Sequence, residues 1–211
     1  MIDAFIQYFA EMTPLRLCVL LGTLTGLVVM VLQVLQHIAL WYFNIISATL
    51  LAINFFATEV YAYAVFQIYY VVVSVYGLYE WKRGRSTDDS ELPIQLMKVK
   101  DWMIALAVIV GGTLVVSNFL WLLGSDIAFV DAMITVISAV ATFLLTKKFL
   151  QYWYFWIVAD SMYVALVISY GQSDLYPTVL LYSCYIISAI IGIFEWRKMY
   201  KKQTEERKLE M

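Results

Sequence analysis

Gly77–Arg83 reads GLYEWKR, and 115 residues later Gly192–Lys198 reads GIFEWRK. The same offset carried backwards pairs Tyr70 with Tyr185, Tyr61 with Tyr176, Trp41 with Trp156, Gln36 with Gln151 and, conservatively, Thr23 with Ser138. A chance motif would lose register within one helix, so the pattern predicts a chain written twice. Each copy is long enough for three membrane helices. In membrane chains such a duplication commonly frames a site held between the copies.

Composition sets the medium. The chain is 63% hydrophobic and 14% charged, with a mean hydropathy of +0.79, against roughly 45–50% and about 25% in ordinary soluble domains. Seven apolar runs meet the need for about 20 residues per crossing: Leu17–Leu35, Ile38–Phe56, Tyr61–Tyr79, Trp102–Leu123, Ile127–Thr146, Leu150–Tyr170 and Tyr176–Phe194. These runs are apolar on both parities, which excludes the alternation of a β-barrel. The expectation is an all-α membrane protein. Helices 1 to 3 form one repeat, helix 4 is unpaired, and helices 5 to 7 form the second. Three helices end on the side opposite their start, so the odd helix 4 is needed to make the repeats parallel. The predicted division is 1–16 as an extracytoplasmic segment, 17–81 as the first repeat, 82–101 as a cytoplasmic linker, 102–123 as the linking helix, 127–196 as the second repeat and 197–211 as a cytoplasmic tail. The linker, with SerThrAspAspSerGlu at 86–91, reads as solvated.

Basic residues set the orientation. With the C-terminus inside, 13 of the 14 Lys and Arg residues fall in cytoplasmic segments and only Arg16 lies outside, as the positive-inside rule favours. The N-terminus is then outside. The first sixteen residues have no basic n-region and no small-residue cleavage site follows the first run, so no removable signal peptide is expected.

One residue is costly to place. Asp160 sits ten residues from each end of helix 6, where an aspartate costs roughly 2.5–3.5 kcal/mol on insertion scales. No Lys or Arg lies within any span, so hydrogen bonds, protonation or a cationic ligand must offset it. Trp153, Trp156, Asp160 and Tyr163 follow i, i+3, i+7, i+10 and share one helical face. A carboxylate flanked by aromatic rings suits a flat organic cation, although a neutral Asp160 bonded to a neighbouring helix would leave the same pattern. Helix 2 offers Trp41, Asn44 and Ser47 at the equivalent face. Helix 3 offers Gln67, Tyr70 and Ser74, and helix 7 offers Tyr182, Tyr185 and Ala189. Interhelical hydrogen bonding is the plainer use of these polar groups. At the offset of 115 the first copy has Ile45 where the second has Asp160, so only one half supplies a charge.

Other residues read structurally. Trp81 and Trp196 precede basic residues and fit interfacial anchors; Gly77 and Gly192 fit close helix approach. Gln36 and Gln151 fall at cytoplasmic turns, as gates or turn caps. Asp131 favours the N-terminus of helix 5. Cys18 and Cys184 are apolar fillers, and His37 has no second ligand with which to build a metal site. No cofactor is expected, nucleic acid is not an expected partner, and no nucleotide-binding motif is present to drive pumping. The buried polar residues include no activated nucleophile, which makes an enzyme the least expected class.

The stretch from Asp131 to Asp160, DAMITVISAVATFLLTKKFLQYWYFWIVAD, joins an Asp, a Thr/Ser-rich helix, a basic turn and a WxxWIxxD pattern. With Gln67–Trp81 (QIYYVVVSVYGLYEW) and Leu175–Lys198, it resembles the Pnu family of vitamin transporters over essentially the whole chain. That resemblance implies parallel three-helix repeats joined by a linking helix, similar to the SWEET sugar transporters, and a homotrimer in the bacterial inner membrane. It also implies facilitated diffusion of a small cationic vitamin, with trapping by a cytoplasmic vitamin kinase. Nicotinamide riboside is the leading substrate and thiamine the alternative, both carrying a cationic ring. A non-transporting receptor or assembly subunit is the more distant reading.

Overall fold

The computed structural model describes residues 13–86, 92–170 and 176–209. Most of the predicted extracytoplasmic segment, the centre of the linker at 87–91 and residues 171–175 lie outside this set. Seven helices are long and apolar enough to cross a bilayer: α1 (Pro14–Val34), α2 (Ala39–Ala57), α3 (Tyr61–Ser86), α4 (Val99–Leu122), α5 (Ala128–Thr146), α6 (Tyr152–Tyr170) and α7 (Tyr176–Leu209). Thr13 starts α1 by accepting the Arg16 N–H on its hydroxyl at 3.2 Å, with Pro14 in the first turn. Asp101 caps the start of α4 by accepting the Lys98 N–H at 2.7 Å.

The helices close into a ring. α1 packs on α2, α2 on α3, α3 on α5, α5 on α6, α6 on α7, and α7 returns to α1. α4 packs outside this ring against α5, where a Cβ on Gly112 would stand 2.9 Å from Val136. In lipid no hydrophobic force draws helices together, so small residues that permit close contact carry the association.

Two matched stacks hold the ring at its basic end. A Cβ on Gly77 would lie 2.5 Å from the Trp41 indole, and one on Gly192 would lie 2.3 Å from that of Trp153. Trp41 meets Trp81 edge-on at 5.5 Å and 88°, and Trp153 meets Trp196 edge-on at 5.9 Å and 87°. Trp81 and Trp196 are therefore buried packing residues, 3% and 0% exposed, and not the interfacial anchors expected from their flanking charges. Gly77 and Gly192 act as the sequence suggests.

This geometry corrects the register. The structural counterpart of Trp41 is Trp153, at an offset of 112, not Trp156. Gln36 corresponds to Lys148 and not Gln151; both adopt φ 52° in the turn that follows the first helix of their copy. Thr23 accordingly matches Thr135. Only the third helix keeps the offset of 115, with Tyr61 and Tyr176 as first residues of α3 and α7. The second copy thus carries three more residues between Trp153 and Gly192 than the first does between Trp41 and Gly77. The similar EWKR and EWRK endings masked this shift, because they report on the third helix alone.

The linker also differs from expectation. α3 runs to Ser86 and α4 starts at Val99, while Ile94 and Met97 are buried. Gln95 exchanges backbone hydrogen bonds with the α5–α6 turn, its N–H donating to Lys148 O and its carbonyl accepting from the Leu150 N–H, both at 2.9 Å. Gln151 Oε1 accepts from the Met97 N–H at 2.9 Å and Gln203 Oε1 from the Ile94 N–H at 3.2 Å. Apolar side chains and satisfied amides hold 92–98 in place, where only the neighbouring charges had been read. Past Trp196, α7 continues helical through the predicted tail to Leu209.

Gly192→Ala would force the Trp153 ring off its seat; strain of this kind typically costs about 1–3 kcal/mol. We expect a lower unfolding midpoint in detergent for Gly192→Ala and Gly77→Ala than for Gly111→Ala, where a Cβ meets nothing within 4 Å.

Candidate functional site

The six ring helices surround a cavity of about 300 Å³, at the lower end of the range for small-molecule sites. Every ring helix contributes a wall and α4 contributes none. Eight of the ten residues singled out from the sequence line it: Asn44, Gln67, Tyr70, Trp153, Trp156, Asp160, Tyr182 and Tyr185.

Two do not. Trp41 is fully buried against Gly77 and Trp81 and stays off the cavity wall, although its counterpart Trp153 reaches it. Tyr163 sits behind the wall and stacks on Tyr182 at 4.1 Å and 18°. Tyr182 in turn meets Tyr185 edge-on at 5.5 Å and 71°. Tyr163 thus fixes the ring that faces the cavity.

The second half supplies an aromatic and acidic wall. Asp160 is 3% exposed and projects from mid-helix in α6 beside Trp153 and Trp156. No Lys or Arg is among the lining residues. The indole N–H groups of both tryptophans are buried without a hydrogen-bond partner among the described residues. A buried donor without an acceptor costs about 1–3 kcal/mol.

The opposite wall is polar and neutral. Asn44 Nδ2 donates to Ser74 Oγ at 2.7 Å, and Ser74 Oγ donates to the Tyr70 carbonyl at 2.6 Å, which fixes the amide and ties α2 to α3. Ser47 Oγ donates to Gly22 O at 2.8 Å, tying α2 to α1.

Several lining residues were not singled out as site residues. Gly26, Met30 and Gln33 on α1 and Ser138, Thr142 and Leu145 on α5 form i, i+4, i+7 stripes at matching positions under the offset of 112. The hydroxyls of Ser138 and Thr142 donate to Ile134 O and Ser138 O, at 2.8 and 2.9 Å. Their helical spacing was the available signal. The corrected register also changes the partner of Asp160 from Ile45 to Ala48, which is likewise buried, at 3%.

A family profile described as "Nicotinamide mononucleotide transporter" matches residues 16–198. The chain belongs to the nicotinamide mononucleotide transporter family. Family membership makes it a multi-pass membrane transporter and not an enzyme. The nicotinamide riboside transporter PnuC of Escherichia coli (strain K12) is 28% identical over 200 residues, covering 83% of this chain and 82% of that protein. PnuC of Neisseria mucosa is 26% identical over 192 residues, covering 87% and 73%. A crystal structure of the vitamin B3 transporter PnuC shares the fold, with a TM-score of 0.70 at 24% identity over 93% of this chain and 86% of that one. Within this family fold, the cavity described above is the site that remains to be assigned a ligand.

Trp41 and Trp156 separate by experiment. Trp41→Ala should cost about 3–5 kcal/mol of stability, the usual range for a buried Trp truncation. Trp156→Ala should leave the melting temperature nearer wild type and weaken ligand binding about tenfold, as loss of one stacking contact worth up to about 1.5 kcal/mol implies. Calorimetry and thermal unfolding of the two variants check this.

Proposed function

We propose that this chain imports nicotinamide riboside across the bacterial inner membrane by facilitated diffusion, and that a cytoplasmic kinase traps the product. The observation that carries the reading is Asp160, a buried carboxylate flanked by Trp153 and Trp156 in a cavity with no Lys or Arg on its walls. A pyridinium ring stacks on indole and offsets the carboxylate charge. Amide and hydroxyl groups at Asn44, Gln67, Ser138 and Thr142 suit a ribose. The relatives named for nicotinamide riboside support this substrate.

A mononucleotide fits less well. Its phosphate would enter a cavity whose one charge is negative, with neither an Arg fork nor a Lys to receive it. Thiamine is the second candidate, since its thiazolium satisfies the same carboxylate and rings.

The remaining assignments belong to the same reading. The N-terminus lies outside and the C-terminus in the cytoplasm, which places Lys82, Arg83, Lys147, Lys148 and Arg197 inside. α1–α3 and α5–α7 act as two parallel three-helix units joined by α4, with the cavity on the axis between them. The transporter works as a homotrimer, with coupling to a vitamin kinase through its product alone.

Titration calorimetry of the purified protein tests the substrate. Nicotinamide riboside should bind, and its mononucleotide should bind at least about a hundredfold more weakly, equivalent to roughly 2.8 kcal/mol. Tighter binding of thiamine than of the riboside would reassign the substrate, and no binding of either vitamin would refute the proposal. Asp160→Asn should weaken the cationic riboside about tenfold or more, since bonds to charged groups contribute roughly 1.5–3 kcal/mol. The neutral dihydro form should lose much less. Equal losses for the two forms would make Asp160 a structural residue.

A further inference from the structure

The ring has two seams where the proposed three-helix units meet, α3 with α5 and α1 with α7, and they are built differently. α3 and α5 are joined at three depths. Near the outer end, the Tyr63 hydroxyl donates to Asp131, 3.1 Å from each carboxylate oxygen. In the middle, the Tyr69 hydroxyl donates to Ala139 O at 2.8 Å. At the cytoplasmic end, Lys147 Nζ pairs with Glu80 Oε2 at 3.0 Å and donates to the Tyr76 hydroxyl, while Tyr76 stacks on Phe143 at 6.2 Å and 5°. Lys148 adds a cation–π contact, its Nζ 4.4 Å from the Trp81 ring centroid. From Tyr63 to Glu80 the ties span about 25 Å of helix at 1.5 Å per residue, most of the hydrocarbon thickness.

The α1–α7 seam carries neutral ties at its cytoplasmic end. Trp196 Nε1 donates to Gln33 O at 3.1 Å, and Gln36 Nε2 meets the Met199 sulfur, a weak acceptor, at 3.1 Å. Charge-assisted bonds are roughly twice as strong as neutral ones. The position matching Lys147 under the offset of 112 is Leu35, so the ion pair has no copy here although Glu195 matches Glu80. Of the seven spans, α5 is the most enclosed and α1 the least. Gln33 both lines the cavity and accepts the Trp196 bond, so the tie across this seam sits on the cavity wall.

We infer that α3–α5 is a fixed hinge and that the cavity opens to the cytoplasm by parting α1 from α7 at Gln33–Gln36. The substrate path on the inner side therefore runs along one seam only. This rests on the transport reading above.

Two cysteine pairs test it in a Cys18→Ser, Cys184→Ser background: Tyr76→Cys with Phe143→Cys across α3–α5, and Gln36→Cys with Met199→Cys across α1–α7. Each pair is bridged by a short reducible bis-thiosulfonate linker, and uptake of labelled nicotinamide riboside into proteoliposomes is compared before bridging, after bridging and after reduction. The α1–α7 bridge should abolish uptake, with reduction restoring it, while the α3–α5 bridge leaves uptake at its unbridged level. Block by the α3–α5 bridge, or passage through the α1–α7 bridge, overturns the hinge assignment. Failure of both unbridged proteins to bind or move the riboside counts instead against the transport reading. The hinge is then read without substrate, from dipolar broadening between nitroxides on the same pairs in vesicles. One separation at 76/143 and two at 36/199 support it; a single separation at 36/199 overturns it.

Discussion

Seating an indole on a glycine is the contact on which the arrangement depends. Trp41 on Gly77 and Trp153 on Gly192 leave no room for a Cβ, so they fix how closely the second and third helices of each copy approach. Each indole then meets a second tryptophan edge-on at nearly a right angle. With that spacing set, residues one turn higher, Asn44 in one copy and Trp156 in the other, face the cavity. The polar walls are thus held by packing that is itself apolar, which suits a medium that gives helices no other reason to associate.

Much of this was legible in the sequence, for identifiable reasons. Span number and the helical class follow from run length and hydropathy, quantities that the bilayer constrains strongly. Trp153, Trp156 and Asp160 were legible because helical periodicity is local and needs no knowledge of partners. Trp41 was misplaced because its assignment carried the register of the third helix back across a stretch that is three residues longer in the second copy, 39 residues from Trp153 to Gly192 against 36 from Trp41 to Gly77. The burial of Trp81 and Trp196 was hidden as well: a tryptophan before a basic residue reads as an anchor unless the indole that packs on it, Trp41 or Trp153, is known. The hydroxyl stripe at Ser138 and Thr142 went unassigned because Ser and Thr bond their own helix carbonyls in any setting.

In the proposed two-unit arrangement the frame has near-equivalent halves, and the polar character of the cavity comes from where they differ. Under the corrected register Ala48 corresponds to Asp160, Asn44 to Trp156 and Leu51 to Tyr163. One half contributes charge and rings and the other contributes amides and small groups. A single carboxylate incurs the burial penalty once, and it gives the cavity a direction that two identical halves could not. The same is true at the basic rim, where Lys147 meets Glu80 and Leu35 occupies the corresponding place.

α4 stands apart from all of this. It lines none of the cavity, and much of its surface, including Val99, Met103, Val115 and Trp121, is exposed and apolar. Substitutions along that face alter how the protein meets lipid or neighbouring chains while leaving the cavity walls untouched. What the transporter carries and where it resides in the bilayer are therefore written on separate helices, and each is free to diverge without disturbing the other.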